Sequence, residues 1–145
     1  MSSWRQQALI EAPVEEVWRL VSDPSRYAEW GGNVIEVTGE PAVERDSTFQ
    51  QRTKVLGSVV ETTFRIEELE ELREVKLRCQ TSGYYSRWLL TEARENTFLD
   101  VEIGIDPIAL PSRLVDATVG KRWYRRIAED SIDGLRRLAT RGGSN

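Results

Sequence analysis

The 145-residue chain has no histidine and only one cysteine, Cys79. Without histidine it lacks the commonest general base, the usual partner of a nucleophilic serine and the most frequent metal ligand. A lone cysteine excludes an intrachain disulfide framework and a thiolate metal cluster. With no histidine to activate it, Cys79 reads as a small buried hydrophobe rather than a nucleophile. No stretch approaches the roughly 18 consecutive apolar residues of a membrane span. Positive charge is not in excess either. The net charge is −4, a poor basis for a nucleic-acid partner held by phosphate neutralisation. The opening Met1 to Ile10 carries Trp4, Arg5, Gln6 and Gln7 where a signal peptide would be apolar. No secretory signal and a cytoplasmic location are therefore expected. No metal and no cofactor are expected.

What remains is 39% hydrophobic and 30% charged, the balance of a globular domain with a real core. The length suits one domain, expected over residues 1–140 with a disordered tail at 141–145. Residues 3–11 read as a strand. The run Ala12-Pro13-Val14-Glu15-Glu16-Val17-Trp18-Arg19-Leu20-Val21 opens a helix, with Pro13 at its first position and glutamates where the helix dipole favours them. Val14, Val17, Trp18 and Val21 share one face. Asp23 and Pro24 stop this helix and start a short second one that ends at Trp30-Gly31-Gly32.

From Gly32 the apolar period falls to two. Strands are expected at Val34–Ala42, with a possible bulge at Gly39, and at Thr48–Val55. The next is Val59–Leu69, with Val60, Thr62, Phe64 and Ile66 on one face. Glu67–Glu74 would also suit a helix, but alternation resumes at Val75, Leu77 and Cys79, which favours an extended hairpin with Glu67, Glu68, Glu70 and Glu71 exposed. Ser82-Gly83 and Glu95-Asn96 are turns that lead into Tyr84–Ala93 and Thr97–Asp106. After Pro107 and Pro111 a long helix runs from about Ser112 to Thr140. Its inner stripe is Ala117, Gly120, Tyr124, Ile127, Ser131, Leu135 and Leu138. Its arginines face acidic residues three or four positions away, the pattern of a solvated face. Gly120 and Gly134 each cost about 1 kcal/mol in a helix interior. A bulky neighbour, a kink or room for a ligand would explain them.

The class is α+β: an antiparallel sheet of about seven strands, two short helices after the first strand, and one long C-terminal helix. One helix cannot cover so large a flat sheet. A sheet curved round the helix buries both and leaves a cavity.

Three stretches carry a family resemblance: "IEAPVEEVWRLVSDPSRYAEW", the hairpin "EARENTFLDVEI", and the final helix with its small and apolar stripe. Together they resemble the START-related polyketide cyclase/dehydrase and lipid transport superfamily, whose helix-grip fold is also that of the birch-pollen allergens. The resemblance spans nearly the whole chain. It implies a hydrophobic cavity between sheet and final helix, and no shared catalytic motif. Members include lipid carriers, hormone receptors and aromatase/cyclases.

Inward positions nominate Phe49, Gln51, Thr62, Phe64, Tyr84, Ser86, Trp88, Tyr124, Ile127 and Ser131 as cavity residues. A slip of one residue would turn any strand set outward. For Trp88 and Phe64 the plain alternative is core packing, and Tyr84 and Tyr85 could simply end a strand. Tyr124 is a phenol on the inner stripe that needs a hydrogen-bond partner. Trp30-Gly31-Gly32 is either a lid or a turn that anchors the short helix through one indole. The expected partner is a small hydrophobic molecule such as a lipid, an isoprenoid or a polyketide-like aromatic. Two alternatives stand beside a binder. One is an aromatase/cyclase or dehydratase-type enzyme that would use Gln51, Ser86, Arg87 and Tyr124 as donors. The other is an interaction module with a closed core and an exposed apolar patch.

Overall fold

A computed structural model describes residues 3–39, 42–55, 57–106 and 110–143, with the side chains of 110–121 and 140–143 outside the description. The chain begins with β1 (Ser3–Ile10), α1 (Val14–Ser22), a 3₁₀ turn (Pro24–Arg26) and α2 (Tyr27–Trp30). Six strands follow: β2 (Val34–Thr38), β3 (Thr48–Val55), β4 (Ser58–Glu70), β5 (Glu74–Cys79), β6 (Tyr84–Ala93) and β7 (Asn96–Ile105). The last element is α3 (Leu110–Gly143). It includes residues 141–143, where a tail was expected, while 144–145 lie outside the described residues.

All seven strands form one antiparallel sheet in the order β1-β7-β6-β5-β4-β3-β2. Alternation sets the register. Leu99, Val101, Ile103 and Ile105 of β7 are all buried, and so are Val75, Leu77 and Cys79 of β5. The sheet curls, and α3 lies on its inner side against β1, β7, α1 and α2. Tyr124, Ile127, Ser131 and Leu135 face the sheet as their spacing requires, joined by Ala128, Ile132 and Ala139. Ala117 and Gly120 of the expected stripe lie among the undescribed side chains.

Local chemistry places the junctions. The Asp23 carboxylate accepts from the Ser25 backbone N–H at 3.0 Å and so caps the 3₁₀ turn, with Pro24 at its first position. Pro13 sits one place earlier than expected, as the extended residue before α1. β2 ends at Thr38, because Gly39 takes a φ of 79° and turns the chain. The irregularity in β2 lies between Val34 and Glu36 rather than at Gly39. Residues 40 and 41 of the expected strand lie outside the described residues. The ambiguous acidic stretch is a hairpin, with Leu72 at φ 64° in its turn. Glu67 is less exposed than expected. Its carboxylate accepts from Arg78 Nε at 2.7 Å and lies 3.5 Å from Lys76 Nζ.

Candidate functional site

Between the sheet, α2 and α3 lies a cavity of about 40 Å³. Three groups of residues line it. Tyr27, Trp30, Gly31, Asn33 and Val34 come from α2 and the turn into β2. The strands supply Gln51, Phe64, Leu77, Tyr84, Ser86, Trp88 and Ile103, and α3 supplies Ile127 and Ser131. At about 10–15 Å³ for each water-sized occupant, the volume holds about three waters. A whole lipid or polycyclic molecule needs neighbouring side chains to yield.

The α2 wall is built by short-range chemistry. The cap at Asp23 fixes where α2 starts, and Tyr27 and Trp30 then fall on one face at i and i+3. The Tyr27 hydroxyl donates to the Val21 carbonyl at 2.7 Å, and Trp30 Nε1 donates to the Leu20 carbonyl at 3.1 Å. Both rings are thus satisfied at their polar ends and present apolar faces to the core. Trp30 meets Tyr27 and Trp88 edge-on, with centroids 5.4 and 5.1 Å away. Trp30 therefore anchors its helix through the indole, one of the two roles its position offered.

The turn after Trp30 is pinned to α3. The Gly32 backbone N–H donates to Ser131 Oγ at 2.9 Å. A Cβ on Gly134 would collide with the Trp30 carbonyl oxygen and lie 2.9 Å from its Cα. Close approach of α2 to α3 is thus the reason for glycine at 134.

The polar lining is sparse and neutral. Gln51 Nε2 donates to Thr53 Oγ1 at 2.9 Å. The Asn33 backbone carbonyl accepts from the Lys54 N–H at 2.8 Å. Among the described residues, the Asn33 side-chain Nδ2 is buried without a partner, as is Thr62 Oγ1 across the strand pair from Gln51. Burial pushes the Tyr27 and Tyr84 phenols well above their ordinary range; nearby Asp23 adds to this for Tyr27, and Tyr124 and Cys79 add to it for Tyr84. Both phenols are hydrogen-bond donors at neutral pH. Among the described residues, no carboxylate, ammonium or guanidinium lines the cavity.

Of the expected cavity residues, the fold brings Gln51, Phe64, Tyr84, Ser86, Trp88, Ile127 and Ser131 to this lining. Phe49, Thr62 and Tyr124 stand outside it. Phe49 packs one layer away, stacked on Phe64 at 5.8 Å and edge-on to Tyr27. Tyr124 is wholly buried and packs edge-on against Trp123. The next inner positions of α3, Ile127 and Ser131, reach the cavity instead. Thr62 lies opposite Gln51 but beyond the lining. Arg87 takes the other face of β6, where its Nε donates to Glu74 at 2.6 Å. Sequence reasoning missed Tyr27, Asn33, Val34 and Ile103. The Asp-Pro cap was a usable signal for Tyr27. Ile103 was legible as core, but nothing local marked Asn33.

A curled sheet gripping a C-terminal helix over an apolar cavity defines the helix-grip class. Residues 1–140 match the family model described as polyketide cyclase / dehydrase and lipid transport, and the chain belongs to that family. No functionally curated protein matches the sequence. Among solved structures, the Zhui aromatase/cyclase from Streptomyces sp. R1128 is 17% identical, with a TM-score of 0.75 over 96% of this chain and 93% of that one. A protein from Thermus thermophilus, TTHA0849, is 15% identical, with a TM-score of 0.76 over 97% and 98% of the two chains. A START superfamily protein from Mycobacterium smegmatis is 13% identical, with a TM-score of 0.67 over 97% and 99%. At these identities the likeness is one of fold. Among the described residues no helix is long and apolar enough to cross a membrane.

Proposed function

We propose that the chain binds a small hydrophobic molecule between the sheet and α3. The observation that carries this is the lining: a partly open space walled by Trp30, Phe64, Leu77, Trp88, Ile103 and Ile127, with a few neutral polar groups among them. Binding sites of this kind use apolar walls for affinity and isolated polar groups for orientation. The membership of a family described by lipid transport agrees with it. The small volume sets a condition. The leading end of a ligand fits, and a longer body needs Trp30 or its neighbours to move. Native mass spectrometry with solvent extraction of the purified protein tests the reading, supported by NMR titration with short apolar probes. A bound apolar molecule, or shifts confined to the lining residues, is expected. No bound molecule and no response at the lining would refute it.

A second reading is an aromatase/cyclase-type enzyme. Its support is the family's description and the presence of Gln51, Ser86 and Tyr84 on the wall. Against it, the described lining holds no group that changes protonation near neutral pH, so general acid–base catalysis has no evident agent. Turnover of a polyketide-like chain that is lost in Ser86→Ala and Gln51→Ala would establish it. A closed interaction module has weaker support. Leu9 and Phe98 form an exposed cross-strand pair on β1 and β7, but two such residues are ordinary on a protein surface.

A further inference from the structure

We infer that the cavity selects its ligand by an uncharged oxygen acceptor, a ketone-type carbonyl received by Asn33 Nδ2, and turns away ligands that end in a carboxylate. The inference rests on the binding reading above and narrows it to a ligand class.

Three observations carry it. Asn33 lines the cavity and holds a buried donor with no partner among the described residues. An unmet buried donor costs about 1–3 kcal/mol, which a ligand oxygen placed there would recover. The neighbouring amide is already partly engaged: Gln51 Nε2 gives one of its two N–H bonds to Thr53 Oγ1. Asn33 Nδ2 is thus the amide donor at the β2–β3 end of the site with no bond already made among the described residues. Finally, the described lining contains no positive charge. A carboxylate buried there would lose its water without gaining an ion pair, and it would have to take up a proton to enter. A ketone suffers neither loss. The apolar remainder of the ligand would lie between Trp30, Trp88, Phe64 and Ile127, which share the same lining.

The test uses short probes that exceed the room for about three waters and so enter with a small yielding of the lining. Isotope-labelled full-length protein is titrated at pH 7.5 with 2-pentanone, with butyrate of equal size, and with cyclopentane. Backbone and Asn33 side-chain amide signals are followed by NMR. The expected result is that 2-pentanone shifts the Asn33 side-chain amide and the lining backbone signals, and binds about tenfold or more tightly than butyrate, in line with an uncompensated buried charge. Asn33→Leu should weaken 2-pentanone and leave cyclopentane unchanged. Butyrate binding as tightly as 2-pentanone would overturn the inference, and so would unaltered ketone affinity in the variant. If cyclopentane binds but the ketone gains nothing over it, only this inference fails. If none of the probes perturbs the lining, the binding reading fails with it. The wild-type comparison of ketone with butyrate does not depend on the variant's folding.

Discussion

Gly134 lacks a side chain because Trp30 occupies the place where one would go. Alanine there would gain about 1 kcal/mol of helix propensity but would drive a methyl into the Trp30 backbone. Overpacking of this kind costs about 1–3 kcal/mol. Gly134→Ala should therefore lower stability in urea denaturation, and a more stable variant would show that the α2–α3 contact can relax. The buried phenols give a second residue-scale prediction. Burial and then the hydrogen bond to the Glu102 carboxylate push Tyr85 up to about 12, and burial raises Tyr27 and Tyr84 as well. Each is raised above its ordinary value of about 10, so the folded state holds protons that the unfolded state releases. Stability should be fully present below about pH 10 and fall as pH rises toward 12. Denaturation midpoints across that range check this, and Tyr85→Phe should flatten the fall. The glycine at 134 was legible in the sequence as a cost without a reason. The reason lies in Trp30, more than a hundred positions away in the chain.

At the scale of elements, most boundaries were legible because they rest on local chemistry. Proline has no N–H, aspartate can cap, and glycine turns where φ is positive. The Asp23 cap sets where the 3₁₀ turn and α2 begin and so aims Tyr27 and Trp30 at the cavity. Asp23→Ala should cost about 0.5–2 kcal/mol and should also disturb the NMR signals of Tyr27, Trp30 and Gly31. A loss of stability with those signals unmoved would separate the cap from the wall of the site. Where the reading of elements missed, the cause was a competing local preference. In the expected strand Val34–Ala42 only Val34–Thr38 has strand character, so Gly39 ends β2 early, and the bulge falls near Ile35, where pairing with β3 shifts. The Glu-rich stretch at the end of β4 has helical composition, but the alternation that resumes at Val75 prevailed.

For the whole molecule, one buried cluster runs from Ile10 on β1 through Leu99 and Trp88 to Leu135 on α3. Unfolding should be a single event in which tryptophan fluorescence and far-UV circular dichroism lose signal together. Separate transitions would divide the chain into more than one cooperative unit. The curled sheet was legible because periodicity alone demanded that a single helix cover seven strands. The cavity was legible in outline, through Gln51, Phe64, Ser86 and Trp88 on the strands and Ile127 and Ser131 on the helix. Its exact walls were not, because a position that faces inward can line a space or sit one layer behind it.

That distinction divides what each level determines. The sequence by itself set the fold class, the strand faces, the caps and the want of histidine and paired cysteine, since these follow from local preferences and composition. Packing in three dimensions put Phe49 and Tyr124 behind the cavity, made Tyr27 and Trp30 its wall, and left Asn33 Nδ2 without a partner among the described residues. Those outcomes depend on how far apart the sheet, α2 and α3 come to rest, and that distance is set by close contacts such as Gly134 against Trp30 that no local pattern records.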